Sequence, residues 1–87
     1  MAKVNFSRIS MKDIEGNVLT ANFRKELGNQ LYMQGRDIEE CELGKKIYFT
    51  PEDKETELNE KEVGIVKQVI AGYGFVARTA IKKALGE

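Results

Sequence analysis

The sequence predicts an α+β domain that is predominantly helical, with an N-terminal β-hairpin followed by three to four helices. Three observations predict it. Apolar residues stand in near alternation before residue 21 and recur at three- and four-residue intervals after it. Asp13-Ile14-Glu15-Gly16-Asn17 supplies the Gly and Asn that a reversing chain favours. Asn22, Asp37 and Asn59, all residues that start helices well, stand just before the later apolar runs.

The hairpin occupies residues 1–21. Val4, Phe6 and Ile9 alternate with polar neighbours on the way in, and Asn17-Val18-Leu19-Thr20-Ala21 forms the returning strand. Two strands alone are marginal in water, so this hairpin must pack on the helices or pair its edge with another chain. The remainder, 22–87, is the helical part. After Asn22, the fourfold spacing of Phe23, Leu27 and Leu31 predicts a helix over about 23–34, with Tyr32 and Met33 widening its stripe. Gly28 inside it costs roughly 1 kcal/mol relative to Ala, which signals either close packing at that point or a weaker helix. Gly35 ends the helix by accepting a left-handed conformation.

A second helix follows at about 38–48. Asp37 and Glu40 have the spacing of a reciprocal cap, and Ile38, Cys41, Tyr48 and Phe49 approximate one face, which leaves Leu43 and Ile47 off it. The Lys45 to Thr50 end also fits a short strand. Pro51 marks the break, and the polar stretch near 50–58 reads as a loop with at most one turn. Asn59 and Glu62 repeat the cap spacing before Val63, Val66, Val69, Ile70 and Tyr73, which predicts a helix over about 60–72 at the centre of the core. Its apolar face should meet Phe23, Leu27 and Leu31. Gly72-Tyr73-Gly74 interrupts the pattern, and Val76, Ala77, Ala80, Ile81, Ala84 and Leu85 restart it as a last helix.

At 87 residues, with 41% hydrophobic and 32% charged residues, the chain reads as a single small domain over 1–87. A domain this small has a thin margin of stability, to which self-association would add. Fourteen basic side chains balance fourteen acidic ones, so no overall field draws the chain to nucleic acid or to a membrane. The charge is unevenly spread, with an acidic middle over 36–60 and a basic last third. The N-terminal residues contain no apolar stretch of signal-peptide length, and no window approaches the ~20 apolar residues of a membrane span, so a cytoplasmic location without membrane partners is expected.

Chemistry-bearing constellations are scarce. There is no His, the residue most used in proton transfer near neutral pH, so an enzyme is not expected. The acidic residues between Glu39 and Glu60 read as a solvated face and loop, and they lack the residue order of a helix-loop-helix calcium site. The one cysteine, Cys41, lies between Glu40 and Glu42, which disfavour a thiolate, so it reads as a buried structural thiol. Gly72-Tyr73-Gly74 follows a helix and reads as a helix-helix turn instead of a phosphate loop. Catalytic, cofactor-binding and metal-binding residues are therefore all expected to be none. The aromatic residues are expected mostly in the core, Tyr48 and Phe49 least so. One speculative contact set remains: Arg78, Lys82 and Lys83 on the last helix could approach nucleic-acid phosphates, in the outline of a helix-turn-helix.

The Asp13-Ile14-Glu15-Gly16 turn, the Phe23 to Leu31 helix and the run Leu58-Asn59-Glu60-Lys61-Glu62-Val63 resemble, in order and spacing over most of the chain, small proteins encoded by bacterial phages and prophages. That resemblance implies a small assembly or adaptor component and transfers no active-site residue. The functional expectation is a non-enzymatic module that binds a protein partner or itself. The alternative is a small DNA-binding or transcription-related protein using its last two helices.

Overall fold

A computed structural model describes residues 2–86 and divides them into four short strands and four helices. The strands are β1 (Ala2–Val4), β2 (Ile9–Lys12), β3 (Val18–Ala21) and β4 (Thr56–Leu58), and the helices α1 (Arg24–Gln34), α2 (Ile38–Phe49), α3 (Glu60–Ile70) and α4 (Phe75–Ala84). The architecture is α+β and predominantly helical, as the periodicities predict.

The hairpin is β2 and β3, antiparallel, with Met11 opposite Leu19 and Lys12 opposite Val18. Asp13 organises its turn. The Asp13 amide donates to the Asn17 carbonyl at 2.9 Å, and its carboxylate accepts from the amides of Asn17 at 2.8 Å and Glu15 at 2.9 Å. Those bonds, the one from the Asn17 amide foremost, hold the Asp13 carboxyl below the usual range. Gly16 sits at φ +87°, where a side chain would be strained.

The incoming strand read from Val4, Phe6 and Ile9 is interrupted. The Asn5 side chain accepts from the Ser7 amide at 3.0 Å and its carbonyl from the Arg8 amide at 3.1 Å, which turns the chain between β1 and β2. β1 then pairs antiparallel with β4, Val4 opposite Thr56 and Lys3 opposite Glu57. This corrects the loop expected near 50–58. The alternation there spans only three residues, Thr56 and Leu58 inward and Glu57 outward, and the partner strand lies far upstream, beyond any local sequence window. The acidic stretch before β4 is held as well: Asp53 pairs with Arg8, Glu52 accepts from Asn22, and the Thr56 hydroxyl donates to that of Thr50 at 2.8 Å.

α1 and α2 form the tightest contact. A Cβ on Gly28 would lie 2.8 Å from Tyr48 Cβ and 2.9 Å from the Gly44 carbonyl; one on Gly44 would lie 2.6 Å from the Gly28 carbonyl. Close packing is thus the reason for Gly28. Gly35, by contrast, is extended (φ −62°, ψ 136°) and not left-handed as expected; a Cβ there would lie 2.6 Å from the Leu31 carbonyl. α2 forms half of the reciprocal cap expected for it: the Asp37 side chain accepts from the Glu40 amide at 3.0 Å, but the Glu40 carboxylate accepts from the Arg36 amide at 2.7 Å instead of that of Asp37. Its buried face is different: Leu43, Gly44 and Ile47 turn inward, while Ile38 and Phe49 are each 74% exposed. Leu43 and Ile47 are four residues apart and so share a stripe, and the glycine between them sets the phase by admitting α1. Cys41 is only partly buried, its Sγ 3.5 Å from the Tyr32 carbonyl.

α3 carries the full reciprocal cap: the Asn59 side chain accepts from the Glu62 amide at 2.8 Å, and the Glu62 carboxylate from the Asn59 amide at 2.9 Å. Ion pairs Lys46–Glu62 and Lys61–Glu39 lie between α2 and the start of α3. Val66 and Ile70 are fully buried and join Leu27 and Leu31 in one core with Val4, Phe6, Ile9, Leu43, Ile47, Leu58 and Ile81, against which Phe23 packs. The helix ends at Ile70, two residues earlier than predicted, and the 71–74 turn leads into α4. That last helix packs more on β2 than on α3.

Candidate functional site

The position of α4 follows from its own periodicity. Ile81 is fully buried and Leu85 nearly so, and together with Ala77 they define the face turned to the core. Phe75 and Val76 come six and five residues before Ile81. At 3.6 residues per turn both point elsewhere, and they remain 71% and 53% exposed. The expectation that aromatic residues sit in the core therefore fails at Phe75, as it does at Phe49 and Tyr32. Phe6 meets it fully, and Phe23 and Tyr73 in part, their rings 6.0 Å apart.

Phe75, Val76, Thr79, Ala80 and Lys83 form one wall of a groove of about 620 Å³. The other wall is the length of β2 with the residue before it, 8–12, and Val18 from β3. Among the described residues the ionisable side chains that line the groove are Arg8, Lys12 and Lys83, all cationic, with no carboxylate. Arg8 is engaged by Asp53, which raises its pKa through the hydrogen bond and the opposite charge. Lys12 and Lys83 are exposed cations on either side.

Compared with known proteins, the chain matches no family model, no curated sequence and no solved structure.

The three cations singled out on the last helix have separate surroundings. Arg78 turns back toward the end of α3, where its guanidinium donates to the Ala71 carbonyl at 3.3 Å and lies 5.7 Å from the Phe75 ring centroid. Lys82 is exposed and does not line the groove, whereas Lys83 does. Among the described residues, no group of three or more His, Cys, Asp or Glu side chains is arranged to hold a metal ion, and no helix is long and apolar enough to cross a membrane. A smaller concavity of about 240 Å³ lies beside Tyr32, Tyr48 and Phe49, with the Tyr48 and Phe49 rings edge to face at 5.1 Å and Lys45 over Tyr32.

Of the groove's residues, Lys83 and its neighbour Thr79 belong to the contact set expected from the sequence, whereas Phe75, Val76 and the strand wall do not. A signal was present. Phe75 and Val76 lie off the stripe of Ile81, although the apolar pattern of the last helix includes Val76, so a helix that buries Ile81 exposes both. The strand wall carried no comparable sign, because the approach of α4 to β2 is a tertiary fact.

Proposed function

We propose that the protein is a non-enzymatic interaction module that binds a protein partner through the groove between α4 and β2, in the manner of a small assembly or adaptor component. The observation that carries this reading is the exposure of Phe75 and Val76 on a concave, cationic wall. Large apolar side chains grouped in a concavity are what a partner buries, while single exposed ones need no explanation. The groove also offers little for proton transfer or nucleophilic activation, since among the described residues no imidazole, thiol or carboxylate lines it. The DNA-binding alternative has weaker support: Arg78 is occupied at the end of α3, and only Lys82 and Lys83 of the three cations extend freely to the outside.

The test compares the wild-type chain with Val76→Asp. Both should give the same helical circular dichroism, because Val76 lies outside the core. Chemical crosslinking in the native host should yield an adduct with the wild-type chain that Val76→Asp reduces at least tenfold. An adduct indifferent to the substitution would refute the groove as the interface.

A further inference from the structure

Building on that interaction reading, we propose that the groove takes an extended segment of a partner protein by strand addition to the free edge of β2. The segment is one that alternates apolar residues with at least one carboxylate. The direction of the backbone follows from the turn. The Asp13 amide bonds the Asn17 carbonyl, so these two residues are a hydrogen-bonded pair. In an antiparallel ladder such pairs alternate, which makes Met11–Leu19 and Ile9–Ala21 the next bonded pairs. The amides and carbonyls of Ser10 and Lys12 consequently point away from β3. Among the described residues no strand pairs with that edge.

The groove borders β2 along its whole length and reaches Val18 of β3 near the turn. Residues 8–12 line it consecutively, as a strand does when approached along its edge, with inward Ile9 and Met11 and outward Ser10 and Lys12 all represented. An occupant that covers the edge must satisfy its backbone groups or leave them buried without partners. An extended chain satisfies them; a helix, whose own backbone groups are already used, does not. Phe75, Val76 and Ala80 face the added strand and offer apolar contact to every second side chain. Lys12 and Lys83 supply the charge preference, which favours a carboxylate and disfavours the equally cationic edge of a second copy.

The experiment selects a displayed library of random heptapeptides on the intact protein and characterises one enriched peptide made synthetically. The expected peptides alternate apolar residues and carry Asp or Glu. At saturation, amide exchange at Ser10 and Lys12 slows by about tenfold or more, as new ladder bonds require. N-methylation of the peptide weakens binding at alternate positions only. Lys12→Glu and Lys83→Glu each weaken binding by roughly three- to tenfold. Ser10→Pro deletes an outward amide not used by the hairpin and abolishes binding, and the N-methyl series tests the same ladder bonds from the peptide side should that variant not fold. Unprotected Ser10 and Lys12 amides, a helical bound peptide, enriched basic sequences, or no enrichment over Val76→Asp would each overturn strand addition. Of these, a helical peptide whose binding is lost in Val76→Asp would leave the interaction reading intact; a host adduct unaffected by Val76→Asp would remove both.

Discussion

Tyr73 sits at the junction of α3 and α4 with its ring against Phe23 and its hydroxyl buried. Among the described residues that hydroxyl has no hydrogen-bond partner. Burial, with a smaller contribution from the negative charge of Glu26, pushes its pKa up to about 12 from the ordinary 10.0. The folded state therefore holds the phenol proton more tightly than the unfolded chain does. The stability linked to this proton is fully present below pH 10.0 and is lost as pH rises toward about 12. Tyr73→Phe removes both the orphan hydroxyl and the titration. It should leave stability at neutral pH unchanged or raise it by up to about 1 kcal/mol, because an unpaired buried hydroxyl contributes nothing to offset its desolvation. Thermal melts from pH 9 to 12 check this: the wild-type melting temperature should fall more steeply than that of the variant.

The contact between α1 and α2 sets two effects against each other. Replacing Gly44 by Ala improves helix propensity by about 1 kcal/mol. The new Cβ, however, would meet the Gly28 carbonyl at 2.6 Å and the Tyr32 amide at 2.7 Å, both backbone atoms that cannot rotate aside. Forcing the helices apart costs about 1–3 kcal/mol, so Gly44→Ala should be net destabilising by up to about 2 kcal/mol, measurable by urea unfolding. The same contact explains where sequence reading succeeded and failed. Gly28 was legible as either a packing point or a weak spot, because a glycine inside a periodic helix needs a reason, and the approach of Gly44 and Tyr48 decides for packing. The phase of α2 was not legible, since Ile38, Cys41, Tyr48 and Phe49 compete with Leu43 and Ile47 for the inward face. What decides between them is the neighbouring helix at Gly44. The caps at Asp37 and Asn59 and the Asp13–Asn17 turn were readable because their partners lie within four residues.

For the molecule as a whole, all four helices and β1, β2 and β4 contribute to a single core, so disturbance in one part should be felt in the rest. Leu58, in the strand that the sequence concealed, is fully buried in that core and stands opposite Ala2 in the β1–β4 ladder. Leu58→Ala should cost about 2–4 kcal/mol. Urea unfolding followed by far-ultraviolet circular dichroism and by tyrosine fluorescence should give one coincident, earlier transition; separate transitions by the two probes would contradict a single cooperative unit. The hairpin, the helix number and most core residues could be read from local patterns. The groove could not, because it is made by α4 lying along β2, two elements separated by most of the chain.

The pairing of β1 with β4 also bears on how the chain acquires its shape. The β2–β3 turn and the α1–α2 hairpin close short loops, whereas joining Val4 to Thr56 closes one of about fifty residues, with an entropic penalty of roughly 3–4 kcal/mol that must be met before the ladder bonds form. During synthesis β1 must wait, unpartnered, until the roughly fifty residues that separate it from β4 have followed it. A strand made well ahead of its partner is thus among the last to settle.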